Sequence, residues 1–283
     1  MKTLIRFLFL LVLLIGAHAC TSDSDLLFFD ENGVIDENGS ARIQSISSNG
    51  QIKQKFIYDS YGRVTEDQGL FFYNRYLYNN NGRLEKVETA ADTRYLSSSA
   101  MLPLKTELMT SENTSITSYS SYKYDKDGRL SEIEYYFMKD GKKFELTSIR
   151  SFEYEDVFIC RENLCDEKGK MGHYYEYEYD ENGNRTKERY FAPMIPDAYS
   201  NQKLMYEATY QYDNKINPYR VLSLSGPRFY TSANNMTEMT TIWYADPRTT
   251  TAKQSFTYND KGYPVKMIYD GGEEEYTYYA ETE

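Results

Sequence analysis

The sequence predicts an all-β protein, an antiparallel meander of repeated hairpins that forms a curled or partly closed sheet. Three observations support this prediction. A turn motif recurs along the chain, the segments between turns alternate between apolar and polar residues, and tyrosine is unusually abundant, with 30 copies among 283 residues. Tyrosine favours pleated, half-buried surfaces, so its abundance indicates strands.

The repeated motif is an aromatic residue, any residue, Tyr, Asp or Asn, two turn residues, Gly, a basic residue and an aliphatic one. It reads FIYDSYGRV at 56–64, YLYNNNGRL at 76–84, YKYDKDGRL at 122–130, YEYDENGNR at 177–185 and FTYNDKGYPV at 256–265. Incomplete copies lie at 165–171, 210–220 and 276–278. Such recurrence indicates one structural unit used many times.

Each element of the motif has a physical reason. Asp or Asn caps the backbone of a type I turn, and Gly supplies the left-handed residue that closes a hairpin with a bulge. In that geometry Asp59 faces Arg63 and Tyr58 faces Val64, and each such pair contributes about 0.2–1 kcal/mol. We therefore expect positive φ at Gly62, Gly82, Gly128, Gly169, Gly183 and Gly262.

The long sheet that follows from these hairpins must hide its apolar face. Roughly a dozen or more strands are expected, and strongly twisted sheets of more than about ten strands curl or split. We expect the tyrosines to stack inside a curled, partly closed sheet or a sandwich. A transmembrane barrel is the alternative, but it needs a continuous lipid-facing band, whereas Lys, Glu, Gln and Asp recur on the polar face.

The N-terminal residues predict a targeting signal. Residues 1–19 fit a signal peptide, 20–40 a lipid-anchored tether and 41–283 the β domain. Ala17-His18-Ala19 suits an ordinary signal peptidase, whereas Ala19-Cys20 resembles a bacterial lipobox, in which the Cys20 thiol is lipidated. We favour the lipobox, which predicts an outer-membrane lipoprotein anchored in the membrane through Cys20.

The charge composition limits the classes of binding partner. The net charge is −11, and removal of the two basic residues in the signal makes it more negative. This argues against nucleic acid as a partner. The acidic stretch Thr21–Asp25 resembles the export tag of Bacteroidetes lipoproteins displayed on the cell surface, and a plain flexible tether is the alternative.

The recurring Tyr-x-Tyr-Asp-x-x-Gly-Arg-Leu core resembles the YD-repeat (RHS-like) family, and with the lipobox the Bacteroidetes surface lipoproteins that carry it. The resemblance covers most of residues 41–280. It implies a sheet of stacked hairpins and no catalytic residues or cofactor. The copies are far fewer than in the large toxin-encapsulating shells, so a closed cocoon is not expected.

Reactive groups are scarce. His173 is the only histidine after the signal, and it shares a strand face with Met171 and Tyr175, so a packed core histidine is expected and zinc has too few ligands. Glu176 and Glu178 are interpreted as a solvated strand edge rather than a catalytic carboxylate pair.

Two further patterns have structural interpretations. The acidic stretches 30–33 and 36–39 lack the spacing of a calcium loop and predict tight turns. Cys160 and Cys165 can form a disulfide only if residues 161–164 turn, and the sequence leaves this open.

These observations predict a non-enzymatic cell-surface lipoprotein that binds an extracellular protein or glycan, with no cofactor and no metal. A glycan-binding accessory protein of a polysaccharide-uptake system is the alternative, and the shortage of histidine weighs against an enzyme. Most motif tyrosines are expected to be buried. The binding residues are then expected in two irregular stretches predicted to be loops, 92–114 and 193–202.

Overall fold

The computed structural model describes residues 42–92, 105–194, 201–222 and 232–279. It confirms an all-β, antiparallel meander, and each strand pairs with its neighbours in sequence. The sixteen strands of the described chain are β1 Ile43–Ser48, β2 Gln51–Tyr58, β3 Val64–Gly69, β4 Phe72–Tyr78, β5 Leu84–Ala91, β6 Ser118–Tyr124, β7 Leu130–Lys139, β8 Lys143–Glu155, β9 Phe158–Asp166, β10 Met171–Tyr179, β11 Arg185–Pro193, β12 Gln202–Ile216, β13 Asn234–Trp243, β14 Arg248–Tyr258, β15 Pro264–Tyr269 and β16 Gly272–Tyr278.

The sheet closes completely, so the expectation of a curled or partly closed sheet is wrong. Strand β1 pairs with β16, and the hydroxyls of Ser45 and Thr277 lie 2.7 Å apart across this seam. The Tyr279 N–H donates to the carbonyl of Arg42 at 3.0 Å. The Tyr279 hydroxyl reaches the carbonyl of Phe56 at 2.9 Å.

A bulge beside the motif turns gives the physical reason for closure. The register shifts where the strands enter the turn, for example between Ile57 and Tyr58 and between Lys123 and Tyr124. The Thr65 hydroxyl donates to the carbonyl of Ile57 at 3.2 Å. A bulge bends its strand and increases the local twist, and repetition of this bend brings the two sheet edges together.

The turns have the predicted chemistry. The Asp59 carboxylate accepts the N–H of Tyr61 at 2.9 Å and that of Arg63 at 3.0 Å, and the Arg63 guanidinium lies 2.7 Å from the same carboxylate. All six glycines expected to be left-handed have φ between 78° and 82°. At Gly128 the positive φ strains any L side chain, and a Cβ atom there would also require the Arg83 guanidinium to move.

The lumen and the outer wall differ in chemistry. Most buried side chains, among them those of Phe56, Ile133 and Ala208, lie on one face of the sheet, and this face lines the lumen. The other face carries ion pairs between adjacent strands: Arg75–Glu88, Lys123–Glu132, Arg189–Glu207, Lys253–Glu238 and Lys266–Glu273. Over the described strands the outer wall is therefore unlike the apolar band of a transmembrane barrel.

The two ends of the barrel also differ. At the end where even-numbered strands turn into odd ones, here the closed end, lumenal Ile43 and Leu84 are fully buried. A short 3-10 helix at Pro218–Leu222 inserts Tyr219 there against Tyr276. At the opposite, open end, lumenal Phe137 is 54% exposed. In the part of the chain that the structure describes, the barrel is thus packed at one end and more exposed at the other, and we call this shape a cup.

Helix is rare in the part of the chain that the structure describes. None of its helical segments has the length and apolar character needed to cross a membrane.

Candidate binding site in the barrel lumen

A ring of tyrosines forms the closed end. Each even-numbered strand carries one at or near its last residue, and seven of these tyrosines donate their hydroxyl to a carbonyl at or near the start of the preceding strand. The donors and acceptors are Tyr58 to Ile43, Tyr78 to Val64, Tyr124 to Leu84, Tyr154 to Leu130, Tyr179 to Ile159, Tyr212 to Arg185 and Tyr278 to Pro264. The eighth, Tyr258, donates to the carboxylate of Asp213.

Burial of the motif tyrosines follows their position. The first aromatic of the motif is buried at Phe56, Tyr122, Tyr177 and Tyr210, which confirms the prediction there. The last tyrosine is only half-buried. Its hydroxyl must reach a backbone carbonyl near the end of the barrel, and this position leaves part of the ring accessible.

Arginines from one hairpin cover the tyrosines of the next. The guanidinium of Arg63 lies 4.5 Å from the ring centre of Tyr78, and that of Arg129 lies 4.8 Å from Tyr154. Such cation–π contacts add about 0.5–1 kcal/mol at exposed sites. The closed end is therefore a structural frame in which each hairpin holds its neighbour.

One copy of the motif breaks the frame's rule. The first lumenal residue after the turn is aliphatic at Val64, Leu84 and Leu130, but it is Arg185 at the start of β11. Its side chain is only 3% exposed, and its guanidinium lies 3.0 Å from the Glu188 carboxylate and 4.7 Å from the ring centre of Tyr210. A buried charge requires such a partner.

A second ion pair lies beside the first. The Arg150 guanidinium is 2.8 Å from the Glu162 carboxylate, which also accepts the Tyr177 hydroxyl at 2.7 Å. Burial and the nearby Glu162 charge raise the pKa of Tyr177 far above its usual value, so it remains a donor. The carboxylates and guanidinium groups of these two pairs, whose side chains are 3% to 14% exposed, thus form a charged floor in the lumen.

A row of aromatic side chains lies beside this floor, on the side of the open end. We define the aromatic row as Tyr175, Tyr190, Tyr206 and Trp243, one from each of the consecutive strands β10 to β13. Their ring centres are separated by 4.8, 5.3 and 5.0 Å along the row. These distances match the spacing of neighbouring strands, so the row follows the circumference of the wall.

The surroundings fix the row's charge and hydrogen bonding. The Tyr206 hydroxyl donates to Glu188 at 2.7 Å and joins the row to the charged floor. Burial raises the pKa of Tyr175 to about 12, so it is uncharged at neutral pH. The Arg248 guanidinium lies 5.1 Å from the Trp243 ring at the row's far end. All four rings are half-buried.

His173 adjoins the row rather than a packed core. Its ring meets those of Tyr190 and Tyr175 edge to face, at 5.4 and 6.4 Å. Burial and the Arg150 charge lower its pKa, which favours neutral imidazole. His173 thus lies beside Tyr175 on one strand face, as the sequence predicted, but the side chain is half-buried on the lumen wall and not in a packed core.

On the opposite wall a buried carboxylate has amide partners. Asp67 is 6% exposed and accepts the side-chain amide of Gln54 at 2.8 Å and that of Asn74 at 3.5 Å. Burial raises the pKa of Asp67 to about 6, against the smaller opposite effect of these hydrogen bonds.

The other residues singled out by the sequence have structural positions. Glu178 pairs with Arg189 at 2.7 Å on the exposed outer wall, as expected of a solvated strand edge. Cys160 and Cys165 lie on the continuous strand β9 and are free thiols. The Cys160 thiol donates to the carbonyl of Glu153 at 3.4 Å. Burial raises the pKa of both thiols, which disfavours the reactive thiolate.

Several predictions lie wholly or partly outside the described residues. They concern the signal peptide 1–19, the tether 20–40 with Cys20 and the acidic turns at 30–33 and 36–39. Of the predicted loops, Pro193 and Gln202 belong to strands, and Met109 packs against Tyr73 and Ala90.

Among the residues that are described, no cluster of three or more His, Cys, Asp or Glu could hold a metal.

Comparison with known proteins finds distant structural likenesses. No protein family model and no curated protein matches the chain. A porin-like protein from Bacteroides vulgatus is 11% identical, with 84% of this chain and 99% of that chain covered and a TM-score of 0.48. A porin-like protein from Bacteroides uniformis is 13% identical, with 84% of this chain and 98% of that chain covered and a TM-score of 0.35. The Tc holotoxin pore of Photorhabdus luminescens is 13% identical, with 80% of this chain and 13% of that chain covered and a TM-score of 0.32.

Proposed function

We propose that the protein is a non-enzymatic, lipid-anchored YD-repeat barrel of the outer membrane, exposed at the cell surface, that binds an extracellular ligand in the open half of its lumen. One observation supports this most directly. Where the repeat elsewhere places aliphatic residues, β11 places the buried Arg185, and the aromatic row lies beside it. Departures from an otherwise consistent pattern concentrate at functional sites.

The shape and chemistry of the cup suit binding. Ligand sites are concave and mostly apolar, with a few fixed polar groups. The row supplies half-buried rings, and the floor supplies Glu162 and Glu188, each held by an arginine and a tyrosine hydroxyl. Because the strands hold these groups, the site is formed before a ligand arrives.

The anchor is proposed from Cys20. The described chain enters the barrel at Arg42, at the closed end, so the mouth lies at the opposite end from the point of attachment. A Cys20→Ala variant is expected to lose its lipid label and its membrane association. If this variant remains in the membrane fraction as fully as the natural protein, the anchor proposal is wrong.

We also propose that the protein does not catalyse a reaction. Glu162 and Glu188 are held in ion pairs, and His173 contacts tyrosine rings, so these groups are arranged for structure and recognition. We expect no turnover when the purified mature protein is incubated with polysaccharides. Hydrolysis that is abolished by Glu162→Gln or Glu188→Gln alone would show instead that the floor is an active site.

A further inference from the structure

We propose that the aromatic row is a subsite for a neutral sugar chain, lying along the circumference of the lumen wall. This rests on the proposed function, since it names the class of ligand that the lumen takes. The four rings span β10 to β13 at spacings of 4.8 to 5.3 Å. They offer a continuous surface to an extended ligand that crosses the strands.

Three other ligand classes fit the lumen poorly. Barrel closure pairs both edges of the sheet, so a peptide cannot add as an extra strand. An apolar ligand would cover the partly exposed charges of Arg150 and Glu188 without offering them a hydrogen bond. A nucleic acid meets a chain with a net charge of −11.

A neutral sugar chain satisfies both parts of the wall. Its C–H faces can cover the half-buried rings, which are apolar on their faces and polar at the tyrosine hydroxyls. Its hydroxyls can donate to the Glu188 carboxylate and to the hydroxyl oxygen of Tyr206, whose own proton is donated to Glu188. Arg248 beside Trp243 adds a donor at the end nearer the mouth.

The chain carries its own reporter for this site. Trp243 is its single tryptophan and the last ring of the row. Fluorescence of the purified mature protein therefore reports on the row. The test titrates α- and β-linked neutral hexasaccharides of glucose, xylose and mannose, with an acidic hexasaccharide, a fatty acid and an unstructured peptide as comparison ligands.

Adjacent tyrosines provide a matched pair of variants. Tyr175 belongs to the row, whereas Tyr174 stacks on Phe191 at 4.6 Å on the outer wall. We expect at least one neutral hexasaccharide to change the Trp243 fluorescence saturably, Tyr175→Ala to weaken that binding about tenfold or more, and Tyr174→Ala to leave it unchanged. Thermal unfolding of both variants checks that each is folded.

The outcomes separate this inference from the proposed function. If only the fatty acid, the peptide or the acidic sugar gives a Tyr175-dependent signal, the lumen binds a ligand but the sugar class is wrong. Sugar binding that Tyr175→Ala and Tyr174→Ala affect equally would place the sugar elsewhere on the barrel. If no ligand changes the fluorescence, both the sugar subsite and lumenal binding are overturned.

Discussion

Two parts of the lumen wall use the same hairpin and fill it differently. On β3 to β7, which we name the aliphatic wall, Val64, Leu84 and Ile133 are almost fully buried. On β10 to β13, the aromatic wall, the corresponding space holds Arg185, Glu188 and the aromatic row. Both walls end in the same ring of tyrosine hydroxyls bonded to carbonyls. The turn and the tyrosine therefore fix the frame, and the lumen is free to vary on it.

The largest expected loss of stability comes from removing an ion-pair partner in the aromatic wall. Glu188→Leu leaves the Arg185 charge buried, and we expect it to lower the free energy of unfolding by about 3–5 kcal/mol. The double variant Arg185→Leu/Glu188→Leu imitates the aliphatic wall and should recover most of that loss. Urea unfolding measures both.

A matched outer-wall variant tests the role of burial. Glu178→Leu removes one of the two carboxylate partners of Arg189, the other being Glu207, and the Glu178 side chain is 49% exposed. It should cost no more than about 1 kcal/mol. If Glu188→Leu costs as little as Glu178→Leu, the floor is solvated and the contrast between the walls fails.

The second prediction compares the buried carboxylates of the two sides. Because burial raises the pKa of Asp67 to about 6, folding holds a proton that the unfolded chain releases, so stability should fall as pH rises from about 4 to about 6. Asp67→Asn removes this dependence. We expect it to stabilise the protein by about 3 kcal/mol at pH 7, with the gain lost below pH 4.

Neutralising Glu162 should have the opposite effect on stability at pH 7. Its carboxylate is paired with Arg150 at 2.8 Å, so Glu162→Gln should destabilise the protein at pH 7. Thermal unfolding at a series of pH values compares the two variants. Destabilisation by Asp67→Asn at neutral pH would mean that its charged form is favoured in the folded state.

The smallest expected effects concern the frame that the walls share. Tyr124→Phe removes one hydroxyl bond to the carbonyl of Leu84 and should cost about 1 kcal/mol. Tyr212→Phe removes a bond to the carbonyl of Arg185 and also the acceptor of the Ser232 hydroxyl, so it should cost more. Equal costs in chemical denaturation would show that the frame has the same strength behind both walls.

The sequence predicted the hairpin turns of the frame because those turns are local. Asp59, Gly62 and Arg63 lie within five residues, and turn chemistry determines their geometry. Closure was missed because it depends on the summed bend of many bulges, none of which forces the two edges together by itself. The number of strands was foreseen only as a lower limit for the same reason.

The candidate site was harder to predict from the sequence. Arg150 and Glu162 lie on the two strands of the β8–β9 hairpin, twelve residues apart, and the strand register brings them to 2.8 Å. One signal was present, since the motif copy at 177–185 ends in arginine where other copies end in an aliphatic residue. The aromatic row gave no separate signal, because its tyrosines resemble those of the structural ring.

The seam between β1 and β16 has a consequence for how the chain folds. Every other strand pairs with its successor and can form as soon as that successor is made, whereas Ser45 meets Thr277 across 232 residues. Local hairpins form quickly and distant pairings slowly. The growing sheet therefore carries two bare edges until its last hairpin arrives, and in that interval it is most exposed to pairing with other chains.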